Sequence, residues 1–208
     1  MAQENVDQAE LPIVAFDFDG TMTVKDSFSA FLKWRAGPVR WWIGLVRLIP
    51  AGFAYLVHRD RGRIKIDAVK EFLRGVPRER LEADAKRFAE ATSRSLLRPD
   101  AVLAFKRWRQ QRVRLLIVTA SPTVVVAPFA RGLAADGVVG TLLTYDADGR
   151  VEGGFEGPNC RGPEKVVRLH KAFGAGLRLK AAYGDTSGDK EMLEAAEEPY
   201  YRVFTGKP

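Results

Sequence analysis

The chain has 208 residues, enough for one substantial core or for one core with a smaller satellite domain. Hydrophobic residues account for 46% of the sequence and charged residues for 28%, a composition typical of a globular protein, and no low-complexity tract is present. The start of the chain lacks the basic residues and apolar run of a secretory signal, so residues 1–10 are expected to form a disordered tail. The single cysteine, Cys160, excludes an intrachain disulfide and favours a cytoplasmic protein.

The positive charge is concentrated in one segment. The net charge is +7, yet residues 33–98 alone hold 16 lysines and arginines against 7 acids, a balance of +9. This segment is therefore expected to face an anionic partner, which nucleic acid, a membrane surface and a phosphorylated substrate would each provide.

The first predicted element is a buried strand, residues 13–16, that runs directly into the sequence DFDGT. The following eighty or so residues show no strand pattern and predict four helices, near residues 26–36, 39–57, 63–75 and 78–97. Residues 26–97 are therefore expected to form an all-helical cap domain inserted after the first strand.

From residue 98 onward, predicted helices and strands alternate. The predicted helices begin at Arg98, Pro122, Pro163 and Ser187, and the predicted strands are Val113–Ser121, Val138–Thr144, a short strand within YDADGRVEGGF, Leu177–Tyr183 and Tyr201–Phe204. This alternation predicts an α/β catalytic core, residues 11–25 and 98–208, built on a doubly wound, Rossmann-like parallel sheet.

Polar side chains follow the predicted strands at the point where each strand ends. Ligands bind beyond the carboxyl ends of the strands in open α/β sheets, so these groups are expected to converge. Such a cluster of carboxylates suits Mg²⁺, which prefers oxygen ligands. The converging groups are Asp17 and Asp19, Thr119 and Ser121, Asp185 and Asp189, with Lys165 at the start of the preceding helix.

These residue types also fit phosphoryl transfer. One aspartate can attack phosphorus while a second, two residues on, protonates the leaving oxygen. A threonine hydroxyl and a lysine ammonium can neutralise charge on the transferring oxygens. Asp17 and Asp19 share one side of an extended chain, whereas Phe18 points into the core.

The segments DFDGT, IVTAS, GPEK and GDTSGD resemble, in order, the four motifs of the haloacid dehalogenase superfamily. The resemblance implies that Asp17 is the nucleophile, that Asp19 is the general acid and base, and that Thr119 and Lys165 hold the phosphoryl group. It further implies that Asp17, the backbone carbonyl of Asp19 and Asp185 bind Mg²⁺, with Asp189 in support. The remaining positions predicted to bind substrate are Gly20, Asp26, Ser121, Arg161 and Gly184.

An acid at position 19 is found in phosphatases and phosphomutases of this superfamily and is missing from its dehalogenases and transport ATPases. A helical cap between the first and second motifs resembles the phosphoserine-phosphatase-like subfamily IB. Both features favour hydrolysis of a phosphomonoester.

The segment from Pro38 to Val57 is rich in apolar residues and is followed by HRDRGRIK. Its 20 residues could reach about 30 Å as a helix, the thickness of a bilayer's hydrocarbon core. A single crossing would nevertheless separate Asp17 from Lys165 and is excluded. Two interpretations stay open. In the first, the apolar residues of this segment form the core of the cap. In the second, the segment lies at a membrane interface, with tryptophans at the interface and basic residues near lipid phosphates: Trp41, Trp42, Arg59, Arg61, Arg63 and Lys65.

Longer stretches, TVKDSFSAFLKW, NCRGPEKVVRL and LRLKAAYGDTSGDKEML, resemble the bacterial phosphatidylglycerophosphatase C family. That resemblance implies a lipid substrate, phosphatidylglycerophosphate, converted to phosphatidylglycerol. It also implies peripheral contact between the cap and an anionic membrane, at the cytoplasmic face of the inner membrane.

Several alternatives stay open at this point. A soluble phosphatase acting on phosphoserine or histidinol phosphate would have the same motifs, and a phosphomutase would return the phosphoryl group. A nucleic-acid-binding module is permitted by the sequence pI of about 9.7, but no nucleic-acid motif is present and no nucleic acid is expected. Asp26 either recognises substrate or caps the first cap helix, and Arg161 either contacts phosphate or is a solvated loop residue.

Overall fold

The computed structural model describes residues 11–58 and 61–208, and it describes their side chains except at positions 54–58 and 61. The strands are β1 (Ile13–Phe16), β2 (Arg114–Pro122), β3 (Gly137–Thr141), β4 (Leu143–Tyr145), β5 (Val151–Phe155), β6 (Leu179–Gly184) and β7 (Glu198–Tyr201). The helices are α1 (Ser27–Arg47), α2 (Ile49–His58), α3 (Arg61–Leu73), α4 (Arg78–Leu96), α5 (Pro99–Arg109), α6 (Thr123–Gly132), α7 (Pro163–Phe173) and α8 (Lys190–Glu194).

Five strands form a parallel sheet in the order β3-β2-β1-β6-β7. The central strand β1 is buried along its whole length, and its side chains alternate between two apolar clusters. Val14 and Phe16 belong to one cluster, Ile13 and Ala15 to the other. The sheet is thus covered on both faces, which confirms the predicted doubly wound α/β fold.

Three core elements differ from the sequence-based prediction. The strand predicted at Val138–Thr144 is two strands, because β3 joins the parallel sheet while β4 pairs with β5 in a separate antiparallel hairpin. The last strand lies at Glu198–Tyr201 rather than Tyr201–Phe204. The helix predicted at Ser187–Ala196 is the shorter α8, because Asp185–Asp189 form a tight loop around the carboxylate of Asp189.

The insertion between β1 and β2 is built of helices in its described residues, as predicted, with one additional interruption. The break expected between residues 36 and 39 is present, because Gly37 has a non-helical backbone (φ +70°, ψ 171°) and the two stretches of α1 meet there at a kink. A milder interruption, which was not predicted, lies at Leu48 before α2, where hydrogen bonds from Leu48 N to Gly44 O (3.0 Å) and from Gly52 N to Leu48 O (2.9 Å) continue the helical pattern. No helix in the described part of the chain combines the length and apolar content needed to cross a membrane.

The two connections between core and insertion lie side by side. Thr23 and Leu97 form an antiparallel bridge, flanked by hydrogen bonds from Val24 N to Leu96 O (2.9 Å) and from Arg98 N to Met22 O (2.8 Å). The β4–β5 hairpin provides another contact, in which Val151 N donates to the carbonyl oxygen of Val76 (3.0 Å). These contacts place the insertion over the carboxyl ends of the strands.

Candidate active site

A buried ion cluster lies at the carboxyl end of β1. The ammonium of Lys165, near the start of α7, lies 2.6 Å from Asp17 Oδ1 and 2.7 Å from Asp189 Oδ1. It also donates to the carbonyl oxygen of Val118 on β2 (2.9 Å). All three ammonium hydrogens therefore have a partner, which a lysine with only 1% exposure requires.

Burial and the attraction between opposite charges shift the pKa values of these three groups in opposite directions. Burial raises the pKa of Asp17 to about 7, against the opposing effect of Lys165. Burial alone would lower the pKa of Lys165, but the two neighbouring carboxylates outweigh it and raise the pKa above the ordinary value. For Asp189 the burial effect is outweighed by Lys165, so the pKa is lowered. Lys165 consequently stays protonated between two acids.

A third carboxylate completes an acidic group next to this cluster. The hydroxyl of Thr21 lies 2.9 Å from Asp17 Oδ2 and 3.1 Å from Asp185 Oδ1. Asp17, Asp185 and Asp189 each offer an oxygen, and these oxygens lie within 4.8 Å of one another. Burial raises the pKa of Asp185, as expected for a half-buried carboxylate beside other acids. Oxygen donors at this spacing fit a hard divalent cation such as Mg²⁺.

Two glycines allow the acidic loops to approach one another. Gly20 has a φ of +90°, and a β-carbon there would lie 2.5 Å from Asp185 Oδ2. At Gly184 a β-carbon would lie 2.5 Å from the β-carbon of Asp189. Both predicted site glycines therefore act by permitting close packing, and Gly20 also by its backbone conformation.

Asp19 is held by a different set of donors from those around Asp17. Its Oδ1 accepts from the backbone N–H of Ser27 (2.6 Å), and its Oδ2 accepts from the hydroxyl of Ser121 (2.5 Å). The Thr119 hydroxyl lies 3.4 Å from the same Oδ2. Burial and the nearby Asp26 raise the pKa of Asp19, while Lys65 opposes that rise. Asp19 is thus biased toward its protonated form.

A cavity of about 580 Å³ opens from these acids into the cap. Asp17, Asp19, Lys165 and Asp189 form its polar floor. Its walls are largely apolar and come from the cap helices, chiefly Leu32, Trp41, Leu45, Ile64 and Phe72. Asp26, Lys65 and Arg161 add charged groups to the lining.

The structure brings the predicted site residues together at one edge of the sheet, in three different positions. Asp17, Asp19, Asp26, Arg161, Lys165 and Asp189 line the cavity. Asp185 completes the acidic group, and Gly20 and Gly184 pack directly against Asp185 and Asp189. Thr119 and Ser121 are completely buried and contact Asp19, with the Ser121 N–H donating to the Thr119 hydroxyl (3.0 Å).

The two residues with open alternatives are also placed. Asp26 caps α1, since its carboxylate accepts from the backbone N–H of Ser29 (2.7 Å), and the same residue borders the cavity. The guanidinium of Arg161 donates to the hydroxyl of Ser187 (3.1 Å) at the cavity's edge.

Lys65 was expected among the basic residues flanking the apolar segment, yet it reaches the site. Its ammonium donates to the carbonyl oxygen of Ala120, just beyond Thr119 (3.2 Å). Thr21 and Thr186 also contact acids of the site, and neither was predicted as a site residue, although they belong to the motifs DFDGT and GDTSGD. Thr186 donates its backbone N–H (2.9 Å) and its hydroxyl (3.0 Å) to Asp189. No local pattern marks Lys65, because its role depends on how α3 is placed over the core.

The family model described as haloacid dehalogenase-like hydrolase matches residues 14–194. The chain belongs to this family. Within it, the chain is similar in sequence to the phosphoserine-phosphatase-like members.

Two sequence relatives extend over most of the chain. Protein CicA of Caulobacter vibrioides is 59% identical over 196 residues, covering 94% of this chain and 88% of CicA. A phosphoserine phosphatase of Halobacterium salinarum is 31% identical over 195 residues, covering 89% of this chain and 83% of the relative.

Solved structures show the same architecture. A protein of unknown function from Bordetella pertussis Tohama I matches with a TM-score of 0.75 and 26% identity, covering 89% of this chain and 87% of that chain. A phosphoserine phosphatase carrying a phospho-aspartyl intermediate analogue matches with a TM-score of 0.58 and 20% identity, covering 90% and 84%. At that identity, the second likeness concerns the fold alone.

Proposed function

We propose that this protein hydrolyses a phosphomonoester through a phosphorylated aspartate at position 17. The observation that carries the proposal is the placement of the Asp17 carboxylate between Lys165 and Thr21, at the floor of a cavity that Asp19 also lines. A nucleophile and a general acid on one cavity are what stepwise phosphoryl transfer to water requires.

In the first step, a carboxylate oxygen of Asp17 bonds to phosphorus and the bond from phosphorus to the ester oxygen breaks. Asp19 donates its proton to that departing oxygen, a role favoured by its raised pKa. In the second step, the ionised Asp19 takes a proton from water, which attacks phosphorus and releases phosphate from Asp17. Lys165 and Thr119 are assigned to the charged oxygens of the transferring group.

The donor set around Asp17 also fits the expected magnesium ion. Asp17, Asp185 and the backbone carbonyl of Asp19 are proposed to hold it, with Asp189 in support through its bonds to Lys165 and Thr186. The ion would neutralise charge on the phosphoryl oxygens and lower the pKa of its carboxylate ligands.

For the substrate, a small soluble phosphomonoester of the phosphoserine or histidinol-phosphate type is the first candidate. The relative named phosphoserine phosphatase supports it, as does the mixed charge of the cavity lining. Asp26 could pair with a substrate ammonium, and Lys65 or Arg161 with a carboxylate.

A lipid phosphate, phosphatidylglycerophosphate, is the second candidate, with the protein acting at the cytoplasmic face of a membrane. The apolar cavity walls favour it, because a small polar ester would leave Leu45, Ile64 and Phe72 without an apolar partner. The relatives named above give this candidate no support of their own.

The test is release of inorganic phosphate, with Mg²⁺ present, from phosphoserine, histidinol phosphate and phosphatidylglycerophosphate in mixed micelles. Asp17→Asn is the blank, because an amide cannot form the acyl phosphate. Turnover of a soluble ester supports the first candidate, and preference for the lipid supports the second. Return of the phosphoryl group to substrate or product, without phosphate release, would indicate a mutase and contradict hydrolysis.

A further inference from the structure

Six large apolar side chains of the cap are exposed along one continuous line, here called the apolar stripe. The members on α1 recur at the spacing of one helix face, and those on α2 keep that spacing because helical hydrogen bonds at Leu48 and Gly52 connect the two helices. Exposed fractions reach 73% for Val39, 68% for Trp42 and 67% for Phe53. The apolar stripe consists of Val39, Trp42, Ile43, Val46, Ile49 and Phe53. Isolated exposed apolar residues are ordinary, whereas a contiguous group of this kind marks an interaction surface.

The other faces of the same helix segment already have partners. Trp41 and Leu45 line the cavity. On the side toward α3, Gly44 packs so closely that a β-carbon would collide with the ring of Phe72, and the guanidinium of Arg40 lies 5.0 Å from the centre of that ring. The segment is thus apolar on the cavity side and again on the stripe, and among the described residues only the cavity side of these two is packed against other parts of the chain.

A basic groove lies immediately beside the apolar stripe. It is a depression of about 460 Å³ between the end of α1, the start of α2 and α3. Four cations, Arg47, Arg63, Lys70 and Arg74, and two acids, Asp67 and Glu71, line it. Glu71 is already paired with Arg40 (2.6 Å) and lies 3.4 Å from Arg47, so the groove retains a positive excess.

We infer that the apolar stripe and the basic groove dock this protein on a bilayer that contains anionic lipid. An apolar helix face inserts at the level of the acyl boundary, a tryptophan such as Trp42 suits that depth, and adjacent arginines attract the phosphates of the surface. Ile49 both belongs to the apolar stripe and lines the cavity, so docking would bring the cavity's apolar wall next to the membrane.

The charge of the cap favours a membrane over a second copy of this chain as the partner. Residues 33–98 carry a balance of +9, so two copies meeting stripe to stripe would bring strongly positive segments together. An anionic surface complements that charge. The inference concerns binding and holds whichever phosphomonoester the site hydrolyses.

The test is sedimentation of the purified full-length protein with vesicles of phosphatidylcholine alone, or of equal parts phosphatidylcholine and phosphatidylglycerol. The stripe variant is Trp42→Gln with Val46→Gln. The matched control is Leu103→Gln with Val167→Gln, which removes apolar side chains that are 51% and 56% exposed on the core helices α5 and α7. A groove variant, Arg47→Gln with Arg74→Gln, tests the charge contribution.

We expect binding to the anionic vesicles, weakened about tenfold or more in the stripe variant and unchanged in the control. The groove variant and added salt should both reduce binding, since the lipid phosphates act through screened charges. Hydrolysis of p-nitrophenyl phosphate should be unaltered in the stripe variant, which shows that the site is intact. The binding readout needs no turnover, so failure of the proposed hydrolysis would not change it.

Three results would overturn the inference. The first is no sedimentation with either vesicle. The second is equal loss of binding in the stripe variant and the control. The third is a concentration-dependent dimer in light scattering that the stripe variant abolishes, because the apolar stripe would then be an interface between two copies.

Discussion

The α/β core and the helical insertion differ in where their candidate functional side chains lie. In the core, charged groups are buried and each is matched to a partner, as Lys165 is to Asp17 and Asp189. In the insertion, large apolar side chains such as Trp42 and Val46 lie exposed to solvent. Each arrangement costs stability when viewed as folding alone. Under the proposals above, the core carries out the chemistry and the insertion recognises substrate and membrane.

The comparison predicts that core variants change turnover, while insertion variants change substrate affinity or membrane binding. Substitutions of charged and polar residues in the core and in the insertion test this prediction.

The largest effect is expected for Lys165→Met. This change leaves the buried carboxylates of Asp17 and Asp189 facing each other, so we expect unfolding to become easier by about 3–5 kcal/mol and phosphatase activity to be lost. Urea denaturation and phosphate release measure the two effects. Lys180→Met, at a more exposed lysine paired with Glu198 (3.6 Å), is the control. Retention of full activity in Lys165→Met would remove that residue from the site.

Ser121→Ala should have the next largest effect, because it deletes the hydroxyl that holds Asp19 Oδ2. We expect kcat to fall about tenfold or more for alkyl phosphates, with little change in KM, because a misplaced acid slows protonation of the leaving oxygen. The fall should be much smaller for p-nitrophenyl phosphate, whose leaving group needs no proton. An equal fall for both kinds of ester would contradict a role through Asp19 and indicate a general loss of structure.

A smaller effect, on affinity, is expected for Lys65→Gln. Lys65 reaches from the insertion to the carbonyl oxygen of Ala120 at the cavity, so its loss should raise KM by about tenfold and leave kcat largely unchanged. Lys70→Gln, on the same helix but outside the cavity lining, is the matched control for charge. A fall in kcat at unchanged KM would assign Lys65 to the chemistry rather than to binding.

The smallest functional effect is expected for Asp84→Asn. Asp84 is buried in the insertion, where Arg35 donates to it at 2.9 Å and Arg87 pairs with it. Burial alone would raise the pKa of Asp84, but these arginines outweigh it and lower the pKa. We expect a loss of about 1–3 kcal/mol in unfolding free energy at neutral pH, with kcat and KM unchanged.

The pH dependence gives Asp84→Asn a second readout. A carboxyl whose pKa is lowered by folding stabilises the native state above the unfolded pKa, near about 4, and that contribution is lost as the pH falls through the folded pKa. The gap in stability between the wild-type protein and Asp84→Asn should therefore close in acid. A gap that is constant from neutral to acidic pH would show that the charge of Asp84 contributes nothing.

The candidate site at the edge of the core was predictable because it depends on local sequence. A strand that runs into Asp17 and Asp19, and another that ends at Asp185, must bring these acids together once the strands are parallel neighbours. The same reasoning misplaced the final strand. Residues 198–201 pair with β6 through the backbone, whereas the more apolar Val203 and Phe204 follow the strand.

The insertion was predictable as helices but not in its surfaces. Periodicity locates α4 closely, yet it cannot say which apolar face of α1 packs inward, because both faces show the same spacing. The contact of Lys65 with the core likewise depends on the packing of α3 against the rest of the molecule. Long-range geometry of this kind leaves no signal in neighbouring residues.

The adjacent connections at Thr23 and Leu97 make the insertion a cassette. Because residues 22–24 and 96–98 already lie next to each other, a short turn could join them without cutting any strand of the parallel sheet. A different helical module could be grafted at the same junction, provided that it supplied partners for the β4–β5 hairpin and for α6, where Phe129 packs against Phe88. The insertion thus enters and leaves the core at one pair of backbone hydrogen bonds, so its sequence can change in length or content while the order of the sheet strands stays the same.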